Sequence, residues 1–220
     1  KYTFTEVIMK CRKGDKVDFS LSIDSLVNMK VLQYNEVFKA KDIILGKVEI
    51  LDVFTDVKLV DADYKKEQDK EKTKEIGIIA AYLAKNKINA IQSPEGVFVV
   101  VKEAGDATNK IDSTKVASVF YKGYTLKGEV FDSNIKPNDS TSKPYDVKVG
   151  TGSVIPGWDI GLKYFGKGGK GALYIPAMLA YGPQANGVIK AYDNLAFDIE
   201  IKDVTIAPKT AAPSNAPAAK

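Results

Sequence analysis

The C-terminal half of the chain alternates turns with short segments rich in β-branched and aromatic residues, and this pattern is the strongest constraint on its fold. Segments of this composition predict strands. They lie at residues 96–103 (GVFVVVKE), 116–125 (VASVFYKGYT), 145–149, 171–175 and 195–204 (LAFDIEIKDV). One stretch among them, residues 157–165 (GWDIGLKYF), predicts a short helix with Trp158, Leu162 and Phe165 on one side. Several antiparallel strands around one short helix indicate an α+β domain.

The residues that the sequence lacks exclude several kinds of chemistry. The 220 residues include no His, so no imidazole general base, nucleophile–His pair or His-ligated metal can form. Cys11 is the single cysteine, so the chain cannot form an internal disulfide. The net charge is +4, the lysines are interleaved with acids, and Arg12 is the one arginine, so a nucleic-acid partner is not expected. No run of about 18 apolar residues occurs, so no transmembrane segment is expected.

Residues 62–86 (ADYKKEQDKEKTKEIGIIAAYLAKN) predict one long helix, because they contain no Pro and many strong helix formers. The first half is charged on all sides, and we expect residues 64–74 to stay in water. The second half carries an apolar stripe at helical spacing, formed by Ile76, Ile79, Ala80 and Leu83. We interpret the helix as a connector whose stripe docks on one of two domains. A surface helix within a single domain is the alternative.

An internal repeat relates the N-terminal region to the second half of the C-terminal domain. Residues 4–26 lie over residues 158–180 at a constant offset of 154, and residues 44–53 match residues 195–204 at an offset of 151. Both copies predict a helix, a Lys-Gly turn, a strand, a loop and a strand. The repeat indicates that the N-terminal region is a degenerate partial copy of the later domain, with chance similarity of amphipathic stretches as the alternative.

These features predict four segments. A degenerate half-domain at residues 1–61 is followed by a helical connector at residues 62–90 and a complete domain at residues 91–206. Residues 207–220 (APKTAAPSNAPAAK) contain no large apolar residue and are expected to form a disordered tail.

Four motifs in the complete domain carry a resemblance to a known family. In chain order they are Y-K-G-x4-G-x-V-F-D-S from Tyr121, V-I-P-G-W-D-x-G-L from Val154, a K-G pair followed by I-P-x3-A-Y-G ending at Gly182, and L-x-F-D-I-E-I from Leu195. Together they resemble the FKBP-type peptidyl-prolyl cis-trans isomerase family across residues 96–204. The resemblance implies an antiparallel half-barrel sheet wrapped on a short helix, with an apolar pocket for an X-Pro segment between them.

The resemblance also implies roles for individual residues. Trp158 would form the pocket floor, and Tyr121, Phe131 and Phe197 its aromatic walls. The backbone N–H of Ile155 and the hydroxyl of Tyr181 would bind the peptide, and Asp132 would face the twisting amide. Tyr121 is the expected hydrogen-bond partner of Asp132, and Lys136 is considered as a basic partner. Further substrate contacts are expected from Tyr145, Val154, Val188 and Ile189.

The N-terminal copy lacks the corresponding side chains, since Phe4 replaces the Trp158 floor and Gly46 falls on Phe197. We therefore expect it to be non-catalytic and to serve in binding.

The predicted function is a folding helper that isomerises X-Pro bonds of protein clients without a cofactor or metal. A non-catalytic binding or adaptor subunit of a cell-envelope or secretion complex is the alternative, with a partner bound through the N-terminal region. The tandem arrangement is similar to that of bacterial cell-envelope isomerases and lipoproteins. This similarity implies an extracytoplasmic location in the periplasm or at the outer membrane, with a lipid anchor preceding Lys1 considered and a cytoplasmic location as the alternative.

Overall fold

The computed structural model describes residues 8–135 and 142–206. The chain divides into two units, Lys1–Tyr64 and Lys65–Lys220. The expected tail at residues 207–220 lies outside the described residues, as do Phe4 and most of the first helix of the predicted repeat. The four-segment division of the chain stays a prediction. Within the part of the chain that the structure describes, no helix combines the length and apolar character that a membrane crossing requires.

The first unit contains a two-stranded antiparallel sheet of β1 (Lys16–Ser22) and β2 (Ile43–Glu49). A short helix, α1 (Ile23–Asn28), follows β1 directly. The Ser22 side chain caps this helix, because its hydroxyl oxygen accepts a hydrogen bond from the backbone N–H of Ser25.

The long helix α2 spans Val57–Lys85, so it begins five residues before the predicted start and ends one residue before the predicted end. Asp56 explains the earlier start, since its carboxylate accepts the N–H of Lys58 at 2.8 Å and caps the helix. At the other end, Lys87 has a φ of 55° and the N–H of Ile88 reaches the carbonyl of Leu83 at 2.9 Å. This left-handed residue and the 6→1 hydrogen bond form a Schellman motif that terminates the helix.

The second unit is built on a seven-stranded antiparallel sheet in the order β3-β4-β8-β9-β5-β6, with β7 also pairing with β5. The five predicted strands are present with ends shifted by at most two residues, whereas β3 and β6 were not predicted as strands. The bounds are β3 Ile91–Gln92, β4 Phe98–Glu103, β5 Lys115–Thr125, β6 Val130–Ser133, β7 Tyr145–Lys148, β8 Lys170–Ile175 and β9 Leu195–Ile206.

The predicted short helix is α3 (Pro156–Gly161), which tightens into a 3₁₀ turn at Leu162–Tyr164. Gly157 lets this helix lie directly on the sheet, because a Cβ built there would be 2.2 Å from Ile175 Cγ2. The predicted inner side of the helix is confirmed, since Trp158, Leu162 and Phe165 are all buried in the main core with side chains of β5, β8 and β9.

The second half of α2 packs on a separate apolar cluster of the same sheet. Ile79 and Leu83 are buried there, and Ile76 and Tyr82 pack against the same cluster. The strand residues of the cluster are Phe98, Ala172, Tyr174 and Ala196. The docking face is therefore the predicted stripe with one correction: Ala80 is exposed, and Tyr82 and Glu75 lie on the buried side instead.

The two units share a strand register at the offsets of the sequence repeat. Lys16 pairs with Glu49 in the first unit, and their counterparts Lys170 and Glu200 pair in the second. The correspondence holds for all six residue pairs that join β8 to β9. The strand-pairing part of the predicted repeat is therefore present in the fold.

Candidate active site

A cavity of about 570 Å³ opens where α3 meets the strands β5, β6 and β9. Nine of the eleven predicted site residues line it, together with Ser153, which the sequence analysis missed. The lining residues are Tyr121, Phe131, Asp132, Tyr145, Ser153, Val154, Ile155, Trp158, Tyr181 and Phe197. The structure thus brings together side chains from strands, a helix and two loops, although their individual roles stay predictions.

Edge-to-face aromatic packing holds the floor and walls of this cavity. The Trp158 ring is 4% exposed, and its centroid lies 5.1 Å from that of Tyr121 and 5.3 Å from that of Phe197. The interplanar angles are 84° and 89°. Phe131 adds a third such contact, at 5.5 Å and 83° to Phe197. This geometry is favourable for aromatic rings and leaves a rigid, largely apolar surface.

The predicted hydrogen bond between Tyr121 and Asp132 is confirmed. The Tyr121 hydroxyl donates to Asp132 Oδ2 at 2.6 Å. Burial, and then the carboxylate of Asp132, raise the pKa of Tyr121 above its ordinary value. The phenol therefore stays protonated and continues to donate well above neutral pH. Lys136, which was considered as a basic partner, lies outside the described residues.

Asn134 positions this pair of residues, and the sequence analysis missed it. Its side-chain oxygen accepts the backbone N–H of Tyr121 at 2.7 Å, and its amide donates to the carbonyl of Val119 at 2.9 Å. It also reaches the carbonyl of Lys143 at 3.2 Å. One side chain therefore ties the end of β6 to β5 and to the approach to β7. Its place directly after the F-D-S motif is the only sequence signal for this role.

Two N–H groups beside the cavity have no hydrogen-bond partner in the described part of the chain, and they differ in their access to a ligand. Among the described residues, neither the backbone N–H of Ile155 nor the indole N–H of Trp158 has a hydrogen-bond acceptor. The indole nitrogen of Trp158 is fully buried, so a ligand does not reach it. Ile155 is half-buried and lines the cavity, so its backbone N–H can donate to a bound carbonyl.

The other two predicted site residues lie beside the main cavity. Val188 and Ile189 line a second cavity of about 370 Å³ that shares Phe131, Asp132 and Tyr181 with the first. Val188 is 48% exposed and can contact a ligand, whereas Ile189 is 3% exposed and belongs to the main core. The expectation of a direct substrate contact therefore fits Val188 better than Ile189, because the Ile189 side chain packs inward.

In residues 8–135 and 142–206, no group of three or more His, Cys, Asp or Glu side chains is placed to hold a metal ion. The polar groups at the cavity are instead donors and a single carboxylate. This arrangement suits a neutral peptide segment with exposed carbonyl groups.

Comparison with known proteins gives a consistent result. Residues 107–202 match the model of the family described as FKBP-type peptidyl-prolyl cis-trans isomerase. The chain is 40% identical over 126 residues to the FKBP-type peptidyl-prolyl cis-trans isomerase FkpA of Escherichia coli strain K12, which covers 57% of this chain and 44% of the relative. It is 37% identical over 106 residues to FK506-binding protein 4 of Saccharomyces cerevisiae, covering 48% of this chain and 26% of the relative.

Among solved structures, the crystal structure of FkpA from Escherichia coli is similar with a TM-score of 0.52 and 28% identity. That match covers 72% of this chain and 76% of the FkpA chain. By sequence, the chain spans less than half the length of the curated relatives it matches. The matched segment contains most of the sheet, α3 and the aromatic cavity, so the chain carries, at residues 107–202, a domain of the FKBP-type peptidyl-prolyl cis-trans isomerase family.

Proposed function

We propose that this domain catalyses cis–trans isomerisation of X-Pro peptide bonds in protein clients. The observation that carries the proposal is the aromatic cavity with Trp158 as its floor, because it offers a flat apolar surface for a proline ring. The backbone N–H of Ile155, which lines the same cavity and has no acceptor among the described residues, supplies a donor for a carbonyl next to that ring. Ring and carbonyl recognition together select a proline peptide over a purely apolar ligand.

Isomerisation of an X-Pro bond requires little more from the protein than such a surface. Rotation about the peptide C–N bond crosses a barrier of about 18–20 kcal/mol, because amide resonance is lost in the twisted state. No bond to hydrogen breaks, so the lack of histidine does not hinder the reaction. A twisted amide is less dipolar than a planar one and is therefore better accommodated in an apolar site. Stabilising the twisted amide by roughly 1.36 kcal/mol relative to the planar one accelerates the rotation tenfold.

The pair of Tyr121 and Asp132 contributes a fixed negative charge next to the apolar walls. The 2.6 Å hydrogen bond holds the carboxylate in one orientation, so its field at the amide is preorganised. As the C–N bond twists, the amide nitrogen becomes pyramidal and the carbonyl carbon gains partial positive character. A carboxylate directed at that carbon favours the twisted state.

The decisive experiment measures isomerisation of a short X-Pro peptide by NMR exchange or a protease-coupled assay, using the full chain. We expect a rate above the uncatalysed one, and a loss of this excess in Phe131→Ala. The matched control is Tyr82→Ala, which removes an aromatic ring packed on the α2 cluster rather than at the cavity. Peptide binding without acceleration would instead favour the non-catalytic adaptor.

We further propose that the N-terminal unit binds clients or a partner of a cell-envelope or secretion complex. In that unit Gly46 stands at the position of Phe197, so the aromatic wall has no counterpart. Holding a client nearby would raise the effective concentration of its prolines at the Trp158 cavity. Refolding of a proline-limited protein should then fall when Phe19, which covers Gly46, is replaced by Ser, while turnover of a short peptide stays unchanged.

We also propose that the protein is extracytoplasmic and located in the bacterial cell envelope. The support is the resemblance of the tandem arrangement to bacterial envelope proteins, including lipid-anchored ones. Fractionation of cells producing the complete gene product tests this proposal, and recovery in the cytoplasmic fraction would overturn it.

A further inference from the structure

We propose that Glu75, on the long helix α2, is a positioning residue that holds the turn carrying Tyr181 and thereby sets the shape of the candidate active site. The proposal deepens the function proposed above and rests on it. The residues involved all belong to the second unit, Lys65–Lys220.

Glu75 is an unusual residue for a helix of this composition. The lysines that precede it, Lys72 and Lys74, are half-buried and exposed, respectively, but Glu75 itself is only 1% exposed. Glutamate is almost never fully buried unless it is paired. One carboxylate oxygen, Oε1, has no hydrogen-bond partner among the described residues. Burying a carboxylate with one unpaired oxygen lowers the stability of the fold, so a compensating role is expected for Glu75.

The other carboxylate oxygen of Glu75 makes a contact that indicates this role. Oε2 accepts the backbone N–H of Met178 at 2.9 Å. Met178 is the middle residue of the 3₁₀ turn Ala177–Leu179, which begins where β8 ends. Hydrogen bonds to a charged acceptor are among the strongest that a backbone N–H can make. This hydrogen bond therefore ties the turn after β8 to the helix α2.

A second buried side chain, that of Asn194 directly before β9, binds the same turn. The N–H of Ala177 donates to Asn194 Oδ1 at 3.0 Å, and Asn194 is itself buried. The carbonyl of Ala177 in turn accepts the N–H groups of Ala180 and Gly182. Tyr181 lies between these two residues, so its backbone is fixed by a turn whose own anchors are Asn194 and Glu75.

Packing next to Glu75 also joins the helix to the region of the turn. Ile76 sits over Gly96, where an added Cβ would lie 2.4 Å from Ile76 Cδ1 and 4.0 Å from Pro176 Cγ. Gly96 has a φ of +104°, which an L side chain rarely adopts, so glycine is needed there on two counts. Pro176 is the residue that precedes the 3₁₀ turn. The helix, the turn before β4 and the turn after β8 therefore meet in one contact beside the Glu75 hydrogen bond.

The consequence concerns Tyr181, which lines both cavities and is 38% exposed. Its hydroxyl is the group proposed to bind the peptide, and it lies three residues after Met178. If the Glu75 bond is lost, the turn gains freedom and Tyr181 no longer presents its hydroxyl in one place. Contacts that act equally on bound substrate and on the transition state change KM rather than kcat. We therefore expect a change in peptide affinity with little change in the maximal rate.

The test compares three variants of the full chain. Glu75→Met keeps the length and burial of the side chain but removes the carboxylate acceptor, whereas Glu75→Gln keeps a carbonyl oxygen that can accept the Met178 N–H. Glu67→Met is the matched control, since Glu67 is exposed on the same helix and its ion pair with Lys70 is a surface pair. Hydrogen exchange of the Met178 amide, peptide KM and kcat, and urea stability are measured for each.

We expect Glu75→Met to speed exchange at Met178 and to raise KM about tenfold, equivalent to about 1.4 kcal/mol in binding, with kcat changed less than twofold. Glu75→Gln should restore both values, and Glu67→Met should leave them unchanged. Equal exchange at Met178 in Glu75→Met and Glu67→Met would overturn the proposal, as would a normal KM with the protection lost.

The positioning role of Glu75 and the proposed isomerase function can be refuted separately. A wild-type chain that neither binds nor isomerises proline peptides refutes the function. The positioning role is then decided by the NMR signals of the Met178 amide and the Tyr181 ring. A Glu75→Met chain that is as well folded as the control and has both signals unchanged would refute the positioning role as well.

Discussion

Truncating Trp158 to alanine should remove both a core side chain and the floor of the candidate site. Replacing a buried aromatic residue with alanine costs about 3–5 kcal/mol in general. The two edge-to-face contacts with Tyr121 and Phe197 account for about 0.5–1.5 kcal/mol each within that loss. We therefore expect the free energy of unfolding, measured by urea titration, to fall by about 3–5 kcal/mol.

A matched control separates this loss of stability from a loss of binding. Phe98 is 6% exposed, so Phe98→Ala also removes a buried aromatic ring, but Phe98 packs in the cluster under α2 and does not line the cavity. Both variants should lose similar stability. Only Trp158→Ala should weaken binding of an X-Pro peptide by tenfold or more, equivalent to about 1.4 kcal/mol.

Binding is measured by NMR titration under conditions where each variant is shown to be folded by its amide spectrum. Trp158→Leu serves as a second variant, because its larger side chain preserves more of the core contact. If Trp158→Leu and Phe98→Ala were both folded and bound the peptide equally well, the cavity would not be the proline site. Our account of the aromatic floor would then be refuted.

Four further outcomes follow from the described contacts. Tyr121→Phe should lower kcat by about tenfold with the fold intact, because a charge-assisted hydrogen bond of about 1.5–3 kcal/mol is lost; an unchanged pH-independent kcat would contradict this. Burial raises the pKa of Tyr121 and of Tyr124 above about 10, so their contribution to stability is complete below that pH and is lost as the pH rises through their folded-state pKa values. Urea unfolding between pH 8 and pH 11, roughly, should therefore show falling stability, with a smaller fall in Tyr124→Phe. Leu83→Ala should cost about 2–5 kcal/mol in urea unfolding while folded protein keeps its peptide affinity, since Leu83 packs outside the cavity. EDTA should leave the isomerisation rate unchanged, because twisting an amide needs no Lewis acid.

The strands were accessible from sequence because they depend on local signals, whereas the cavity was expected from the family resemblance of four motifs. Alternating β-branched residues predict strands, and the aromatic positions within four ordered motifs place side chains on known strands and turns. The hydrogen bond between Tyr121 and Asp132 was expected from the family resemblance, which these motifs carry. For the five predicted strands the ends differ by at most two residues, and the short strands β3 and β6 were missed.

The contacts that were missed depend on distant parts of the chain. Asn134 and Ser153 carry no periodic signal, and their roles arise from where loops come to lie. Glu75 is the extreme case, because glutamate is seldom buried and nothing in the local sequence indicates the Met178 N–H that it accepts in the turn after β8. Ile189 was expected to contact a ligand because it lies in a loop; it lines the second cavity but is only 3% exposed, which its sequence position does not indicate.

The N-terminal unit shows why fold and site must be argued separately. Its two strands keep the register of β8 and β9, down to the Lys16–Glu49 pair that mirrors Lys170–Glu200. Yet Gly46 stands where Phe197 forms an aromatic wall, and the ring of Phe19 on the adjacent strand covers the space, with Cζ 2.2 Å from a Cβ built at Gly46. Backbone pairing and alternation are thus the same in the two units, while the aromatic side chain of this residue pair lies on the first strand in one unit and on the second strand in the other. A strand pattern can therefore persist after the chemistry of its face has changed, and a function can be assigned only from the side chains that line a cavity.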